Sequence, residues 1–380
     1  MSGTNATETK TVMTKIKPWL PLIGIGVFAI LLLVVAPAVL SMHWINNLGK
    51  YACWAIAAVG IGLAWGRGGM LVLGQGVFFG LGAYAMAMQL TLESAGPDSL
   101  PIFMILYDPA AALPAFWEPF RSPVFTLIAI VALPVIVASI LGYALFKRRV
   151  KGAYFAILSQ ALAVALAVLI SSTIRETGGD TGLSDFKFFF GFVLTDDANK
   201  VMVFMIASSL LILCLLAVWQ LNRSRYGELL IATRDAEERV RFLGYDPANI
   251  KLVAYVVAAV MASIAGAMFV PIVGIITPAE IGASASILMI AGVALGGRAS
   301  LFGPALGDRL GAVEPGIQLA GWLGLHPRAG LHPGHPLPAH GAVVPVREGK
   351  GRPLALSLGA SRNRTRRGGT RTRRGEEMTG

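Results

Sequence analysis

Eight long apolar runs dominate this chain and leave it few ways to fold. They lie at roughly 18–41, 50–66, 70–93, 124–146, 151–173, 201–221, 252–276 and 283–305. An apolar run of about 17–25 residues has the length of a membrane-crossing helix. Backbone N–H and C=O groups find no water in hydrocarbon, so only helices and closed barrels span it. These runs are too long and too uniformly apolar for barrel strands, which alternate at period two. The expected fold class is all-α: a polytopic transmembrane helical bundle of about eight spans. Composition points the same way, with 55% hydrophobic residues, 14% charged and a mean hydropathy of +0.67, well beyond a soluble domain.

The first run lacks an A-x-A-like cleavage site and reads as a retained helix. Cys53 and Cys214 both fall inside runs. They read as small buried apolar residues and imply no disulfide framework. Lys and Arg set the orientation, because cytoplasmic loops of membrane proteins carry the excess. With the N-terminus inside, the inner segments hold Lys10, Lys15, Lys17, Lys147, Arg148, Arg149, Lys151, Arg223, Arg225, Arg234, Arg239, Arg241 and Lys251. The outer segments 94–123 and 174–200 hold only Arg121, Arg175, Lys187 and Lys200. Residues 1–17 are then a cytoplasmic N-terminal segment, and the chain is a multi-pass protein surrounded by membrane lipid.

This orientation puts 222–251 in the cytoplasm. Its core, IATRDAEERVRFLGYDPANIK, is a charged, helix-prone island between two apolar runs. Such an island lies outside hydrocarbon, and its clustered Arg, Asp and Glu suggest a docking surface for a soluble partner. On the outer side, 94–123 is rich in Pro and aromatic residues, consistent with an interfacial cap or with an ordinary surface loop.

From Asp308 the character changes. The segment 308–380 carries twelve Lys/Arg against five Asp/Glu, and four of the five histidines: His326, His332, His335 and His340. The histidine spacing fits no zinc pattern, and neither Cys nor carboxylate completes one. A nucleic-acid-binding tail is a poor fit to a membrane protein. A reading-frame shift near Gly307 explains more. One GC-rich reverse translation of Gly330–Gly341, moved by one nucleotide, reads AFILVTLFLPTG, the end of an apolar helix. The expectation is a transmembrane domain at 18–307 whose last helix or helices are lost, followed by a disordered basic, Gly/Pro/Arg-rich tail.

The chain has no G-x-x-x-x-G-K-[ST] phosphate-cradling loop. His43 is the only histidine outside the tail, so no catalytic constellation is credible. No enzyme activity, cofactor or metal site is expected. Gly66–Tyr84, GRGGMLVLGQGVFFGLGAY, is glycine-dense across a span. It fits either close helix packing or a helix broken mid-membrane. Gln75 within it and Gln160 in AILSQALAV place amides inside spans, where they need a partner or a pathway. An interhelical hydrogen bond is the plain reading of each. Facing one cavity, they would suit a small neutral or zwitterionic solute. Gly178, Gly179 and Gly182, in GGDTGL, form a turn at the exit of a span and are candidates for a gate or only a loop.

Taken in order, WGRGGMLVLGQGVFFGLGAYAMAM, GGDTGL, RDAEERVRFLGYDPANIKLVAY, SIAGAMFVPIVGIITP and GVALGGRASLFGPALG resemble the permeases of branched-chain amino acid type ABC importers, over about residues 50–307. TGLSDFKFFFGF, the aromatic outer loop, and RDAEERVRFLGY followed by VGIITPAE look more like the urea-transport branch. The resemblance implies a helical permease that pairs with a homologous second permease. Two cytoplasmic ATP-binding subunits power it, and an extracytoplasmic solute-binding protein supplies it. It places the ATPase-coupling region at 231–246, with Arg234, Asp235, Glu237, Glu238, Arg241 and Gly244 as contact candidates. Urea is the solute expected, with branched-chain amino acids as the alternative. A non-transporting membrane scaffold is the alternative from another class. An ion-coupled transporter would need an intramembrane ionisable pathway, and the runs hold almost none.

Overall fold

The structure is a computed structural model and describes residues 20–96, 99–107, 113–150 and 152–297. The expectations for 1–17, for the end of the eighth run and for the 308–380 tail lie outside the described residues.

Six helices are long and apolar enough to cross a membrane: α1 (Pro21–Val39), α2 (Met42–Arg67), α5 (Pro123–Lys147), α6 (Ala153–Ser172), α8 (Asp197–Arg223) and α11 (Pro247–Val273). Between them lie α3 (Gln75–Ala95), α4 (Ile102–Tyr107), α7 (Ile174–Thr177), α9 (Arg225–Asp235) and α10 (Glu237–Phe242), and α12 (Ala283–Gly296) follows. The fold is all-α apart from two antiparallel two-stranded ladders. One pairs β1 (Leu183–Ser184) with β4 (Ile275–Ile276) and the other β2 (Phe188–Phe189) with β3 (Phe192–Val193).

The 27-residue helix α11 is the central post, about 40 Å long at 1.5 Å per residue. Its start is specified by Asp246, whose side chain accepts the Ala248 N–H at 3.0 Å, and by Pro247 in the first turn. Its end is Gly274 in the left-handed region. It packs chiefly against α3, α5 and α2, while α8 packs against α2. Most of α2 (78%) and α11 (67%) is buried, against 17% for α1. Helices α1, α5 and α6 instead expose Ile, Leu and Val, such as Val27, Ile128 and Ile157. In water that would be costly; in lipid it is the stable arrangement.

Small residues set how closely the central helices approach. A Cβ on Gly266 of α11 would stand 1.9 Å from Phe79 O of α3, and a Cβ on Gly82 of α3 would stand 1.9 Å from Ser263 O. Only glycine allows this contact, and without a hydrophobic drive between helices such van der Waals contact carries much of the association. Polar side chains add directional links. Ser263 Oγ donates to Ile130 O at 2.6 Å, and Thr126 Oγ1 donates to Gln89 Oε1 at 3.1 Å, so α5 is fastened to both α11 and α3.

The loops segregate to opposite ends. At one, where α9 and α10 lie, Arg234 Nη1 donates to Gly66 O at 2.7 Å, Lys147 pairs with Asp246, and Tyr226 Oη donates to Ile250 O at 2.6 Å. At the far end, Glu93 accepts the N–H groups of Phe190 and Gly191, Ser94 Oγ accepts the Lys187 N–H, and Leu183 pairs with Ile276.

The structure differs from the expected outline at the third run. The third is not one continuous helix from 70 to 93. Residues 68–74 are non-helical, and α3 begins at Gln75; within them Gly69 has a φ of +67°, a conformation glycine adopts freely. Of the eighth run, the described residues include the 14-residue helix α12; the end of the run lies outside them. The second is longer than expected: α2 starts at Met42 and runs 26 residues.

Both broken helices begin inside the bundle. Gln75 meets Ala258, the twelfth residue of α11. The segment from Gly274 to Gly282 leaves the β1–β4 ladder and turns inward until Ile281 O faces Gly76, where a Cβ would stand 2.2 Å away. Ser286 Oγ, in the first turn of α12, accepts the Gly76 N–H at 3.1 Å.

Candidate functional site

Gln75 occupies the first position of α3 and is fully buried. Its Nε2 donates to Ala258 O at 2.7 Å, and its Oε1 is buried without a hydrogen-bond partner among the described residues. Gln160 lies on α6 with both amide atoms buried and likewise unpartnered. A Cβ on Gly74 would stand 2.0 Å from Ser159 O, so the two glutamines each follow a residue of a direct contact between α6 and the 68–74 stretch. The structure thus brings Gln75 and Gln160 onto touching elements, with buried amide capacity left over. Unpaired amide atoms in an apolar interior cost about 1–3 kcal/mol each.

The GGDTGL turn sits apart from them, toward the far end. Gly178, Gly179 and Gly182 all have positive φ. Gly182 also lacks room for a side chain, since a Cβ there would stand 1.9 Å from Ile276 O. Thr181 Oγ1 donates to Gly178 O at 2.6 Å, closing the turn on itself. The Pro278–Glu280 turn touches the 179–181 turn, α6 and α3, so the inward segment is the physical link between GGDTGL and the start of α3.

The charged island folds as a bracket of α9 and α10. Glu237 accepts from Arg241 Nη2 at 2.8 Å and from Lys251 Nζ at 2.9 Å, pinning α10 to the first turns of α11. Arg234 pairs with Asp235 (Nε to Oδ1, 2.8 Å), which holds the Asp235 carboxyl below the usual carboxylate range. Lys147 does the same for Asp246, helped by the Ala248 N–H. A polar pocket of about 310 Å³ opens between this bracket and the 68–71 stretch, lined in part by Thr233, Arg234, Glu237 and Lys251.

The six bracket residues singled out from sequence differ in exposure, with Arg234, Asp235, Glu238 and Gly244 exposed and Glu237 and Arg241 less so. Glu238 and Gly244 are exposed, and Gly244 has open space around it. Glu237 and Arg241 are half-buried in the ion-pair network. Arg234 is exposed as well, and its guanidinium reaches back to a backbone carbonyl of α2. The carbonyl that it reaches lies 168 positions away, and no pattern of charges in the loop records it.

Sequence reasoning missed the most exposed apolar group at this end. Phe242, Leu243 and Tyr245 are 87%, 75% and 51% exposed at the tip of α10. Their position between the charged cluster and Asp-Pro was the available signal: a Phe-Leu-Gly-Tyr tip at a helix end outside the hydrocarbon. Lys50, 6.0 Å above the Phe269 ring, and Glu280, half-buried in the inward segment, are ionisable groups that it also passed over.

A bundle whose helices α1, α5 and α6 expose apolar residues outward, around the buried α2 and α11 and with a charged bracket at one end, defines a polytopic membrane protein. The chain matches the family described as branched-chain amino acid transport system / permease component over residues 44–313, and it belongs to that family. It is similar to the high-affinity branched-chain amino acid transport system permease protein LivM of Escherichia coli K12, with 26% identity over 72% of this chain and 63% of that protein. The corresponding LivM of Salmonella typhimurium LT2 is also 26% identical, covering 72% of this chain and 64% of that protein. BraD of Pseudomonas aeruginosa is 25% identical, covering 70% and 82%. The chain thus spans a little under two thirds of the two LivM proteins. No solved structure matches.

Proposed function

We propose that this chain is a membrane-spanning subunit of an ATP-driven importer and moves branched-chain amino acids inward across the cytoplasmic membrane. Family membership and the curated relatives support this solute over urea, since each relative's name carries branched-chain amino acid transport. The motifs that looked urea-like lie largely in the far-end loops and the bracket. The permease domain is 18–307, with 222–251 as its coupling loop. The N-terminus and the bracket face the cytoplasm, following the Lys/Arg excess. The working assembly contains a homologous second permease, two ATP-binding subunits and an extracytoplasmic solute-binding protein.

One observation carries the coupling assignment. Phe242, Leu243 and Tyr245 project from a bracket held rigid by the Glu237–Arg241–Lys251 network. An exposed apolar tip beside charged residues, outside the hydrocarbon, marks a protein contact. The bracket presents this tip to the ATP-binding subunit, with Glu238 and Gly244 beside it. Gln75, Gln160 and the turn of Gly178, Gly179 and Gly182 line the solute's route at successive depths. The spare hydrogen-bonding capacity of the two amides suits a zwitterion passing without a bound ion.

Uptake of leucine and of urea by cells expressing the full gene cluster, with and without this gene, tests the reading. Gene-dependent uptake of leucine is expected. Gene-dependent uptake of urea alone would overturn the solute, and uptake independent of the gene would favour a scaffold role.

A further inference from the structure

The joint between α2 and α3 is held by one side chain of the bracket. Helix α2 closes as a π-helical turn over Gly62–Arg67, which leaves carbonyls at its C-terminus without helical partners. Arg234 Nη1 donates to one of them, Gly66 O, at 2.7 Å. A cation at a helix C-terminus is also favoured by the helix dipole. The aliphatic stem of the same side chain lies on Gly69, where φ is +67° and a Cβ would stand 2.6 Å from Arg234 Cγ. One turn earlier, the fully buried Leu230 reaches Gly68. Asp235 holds the guanidinium plane by accepting from Nε at 2.8 Å and Nη2 at 3.3 Å. This division of one planar fork between a carboxylate and a carbonyl is geometry that arginine has and lysine lacks.

The other end of the joint is also pinned. After Gly74 the chain enters α3, where Gln75 is fastened to Ala258 and Gly76 to Ser286. Residues 68–74 are non-helical; the N–H groups of Gly68, Gly69 and Met70 bond back to Leu63, Trp65 and Ala64, so the segment moves with the end of α2. A shift of α9 therefore acts on Gly66 and Gly69 directly, and the joint passes it to the first turn of α3 and the start of α12. Packed elements respond to such shifts by changing between discrete arrangements.

We infer that Arg234 is a positioning residue that transmits movement of the bracket to the joint at 68–74 and thereby to Gln75 and the broken-helix crossing. This rests on the reading that 222–251 couples to the ATP-binding subunits. It changes the role of Arg234 from a partner contact to an internal relay.

The test uses the complete importer in proteoliposomes, with its binding protein and leucine as the solute. Arg234→Gln, Arg234→Lys, Gly69→Ala and the double variant Arg234→Ala/Gly69→Ala are compared for two quantities. One is ATP-binding subunit recovered with the permease; the other is leucine moved per ATP hydrolysed. Arg234→Gln is expected to retain the ATP-binding subunit while leucine per ATP falls about tenfold, within the usual range of coupling energies. Arg234→Lys decides in the same way where Gln is not recovered in the membrane. Gly69→Ala should lower the ratio as well, and its effect should shrink when Arg234 is also Ala, because the clash is then gone. An unchanged ratio in both Arg234 variants, or additive effects in the double variant, would overturn the relay. Loss of the ATP-binding subunit from the Arg234 variants would make Arg234 a docking residue, which overturns the relay and leaves the coupling reading standing. Failure of the coupling reading itself shows separately, as full ATP-binding subunit recovery and full stimulation after disruption of Phe242 and Leu243.

Discussion

The amide of Gln75 donates to the carbonyl of Ala258 across 2.7 Å, and this contact fastens the first residue of α3 to the middle of α11. It fixes the depth at which the broken helix begins. Replacing Gln75 by Leu removes that bond and the buried amide at once. The expected result is normal recovery of the protein in membranes with reduced leucine uptake. A stability cost of about 1–2 kcal/mol is expected, the size of one intramembrane hydrogen bond. Uptake equal to the parent protein would remove Gln75 from the solute route.

The exposed tip of the bracket makes a second prediction. Phe242→Asp with Leu243→Asp should reduce recovery of the ATP-binding subunit with the permease, since truncation of a central apolar anchor typically costs about 2 kcal/mol or more. A charge reversal at Glu238, which is exposed, should lower solute-stimulated ATP hydrolysis by a smaller factor. Helical content and membrane recovery should be unchanged in both, because none of these side chains packs in the core.

The crossing of α3 and α11 should tolerate no added volume. Gly266→Leu is expected to destabilise the bundle by about 1–3 kcal/mol or more, because its Cβ alone would overlap Phe79 O. Thermal unfolding in detergent should show a clear fall in Tm. A matching substitution at Gly26 of α1, around which there is open space, should leave Tm nearly unchanged.

The start of α11 should be sensitive to acid. Lys147 and the Ala248 N–H hold the Asp246 carboxyl below its ordinary value. A depressed folded-state value means that its contribution is present above about pH 4, the unfolded value, and is lost as the pH falls through the folded one. Asp246→Ala should cost about 1 kcal/mol at neutral pH, the usual worth of a helix N-cap. The difference in Tm between parent and variant should narrow as the pH is lowered below 4.

The nucleotide sequence tests the tail. Re-reading the codons around Gly307 in the other two frames should give an apolar run of about 20 residues. If neither frame contains one, the shift is refuted and the His- and Arg-rich tail needs its own explanation.

The amino-acid sequence determined that this chain crosses a membrane, because twenty consecutive apolar residues leave the backbone no other way to satisfy itself in hydrocarbon. It also marked the charged island as lying outside the lipid, and it placed two amides, Gln75 and Gln160, in apolar surroundings. These are local properties, readable from spacing and residue type. The tertiary structure alone decided what those residues meet. A glycine-rich run is compatible with tight packing and with a broken helix; which one holds at Gly66–Gly76 depends on Arg234, Ser159 and Ile281, all more than 80 positions away. Arg234 is a surface charge, as its sequence suggested, but its bond to Gly66 O was hidden because that carbonyl belongs to another helix and backbone carbonyls leave no trace in a sequence. The inward path of residues 274–282 was equally hidden, since Ile275 and Ile276 read as the end of one apolar run and 277–282 as the gap before the next. Burial and partnership are properties of pairs of elements, and the chain's order carries no record of which pairs form.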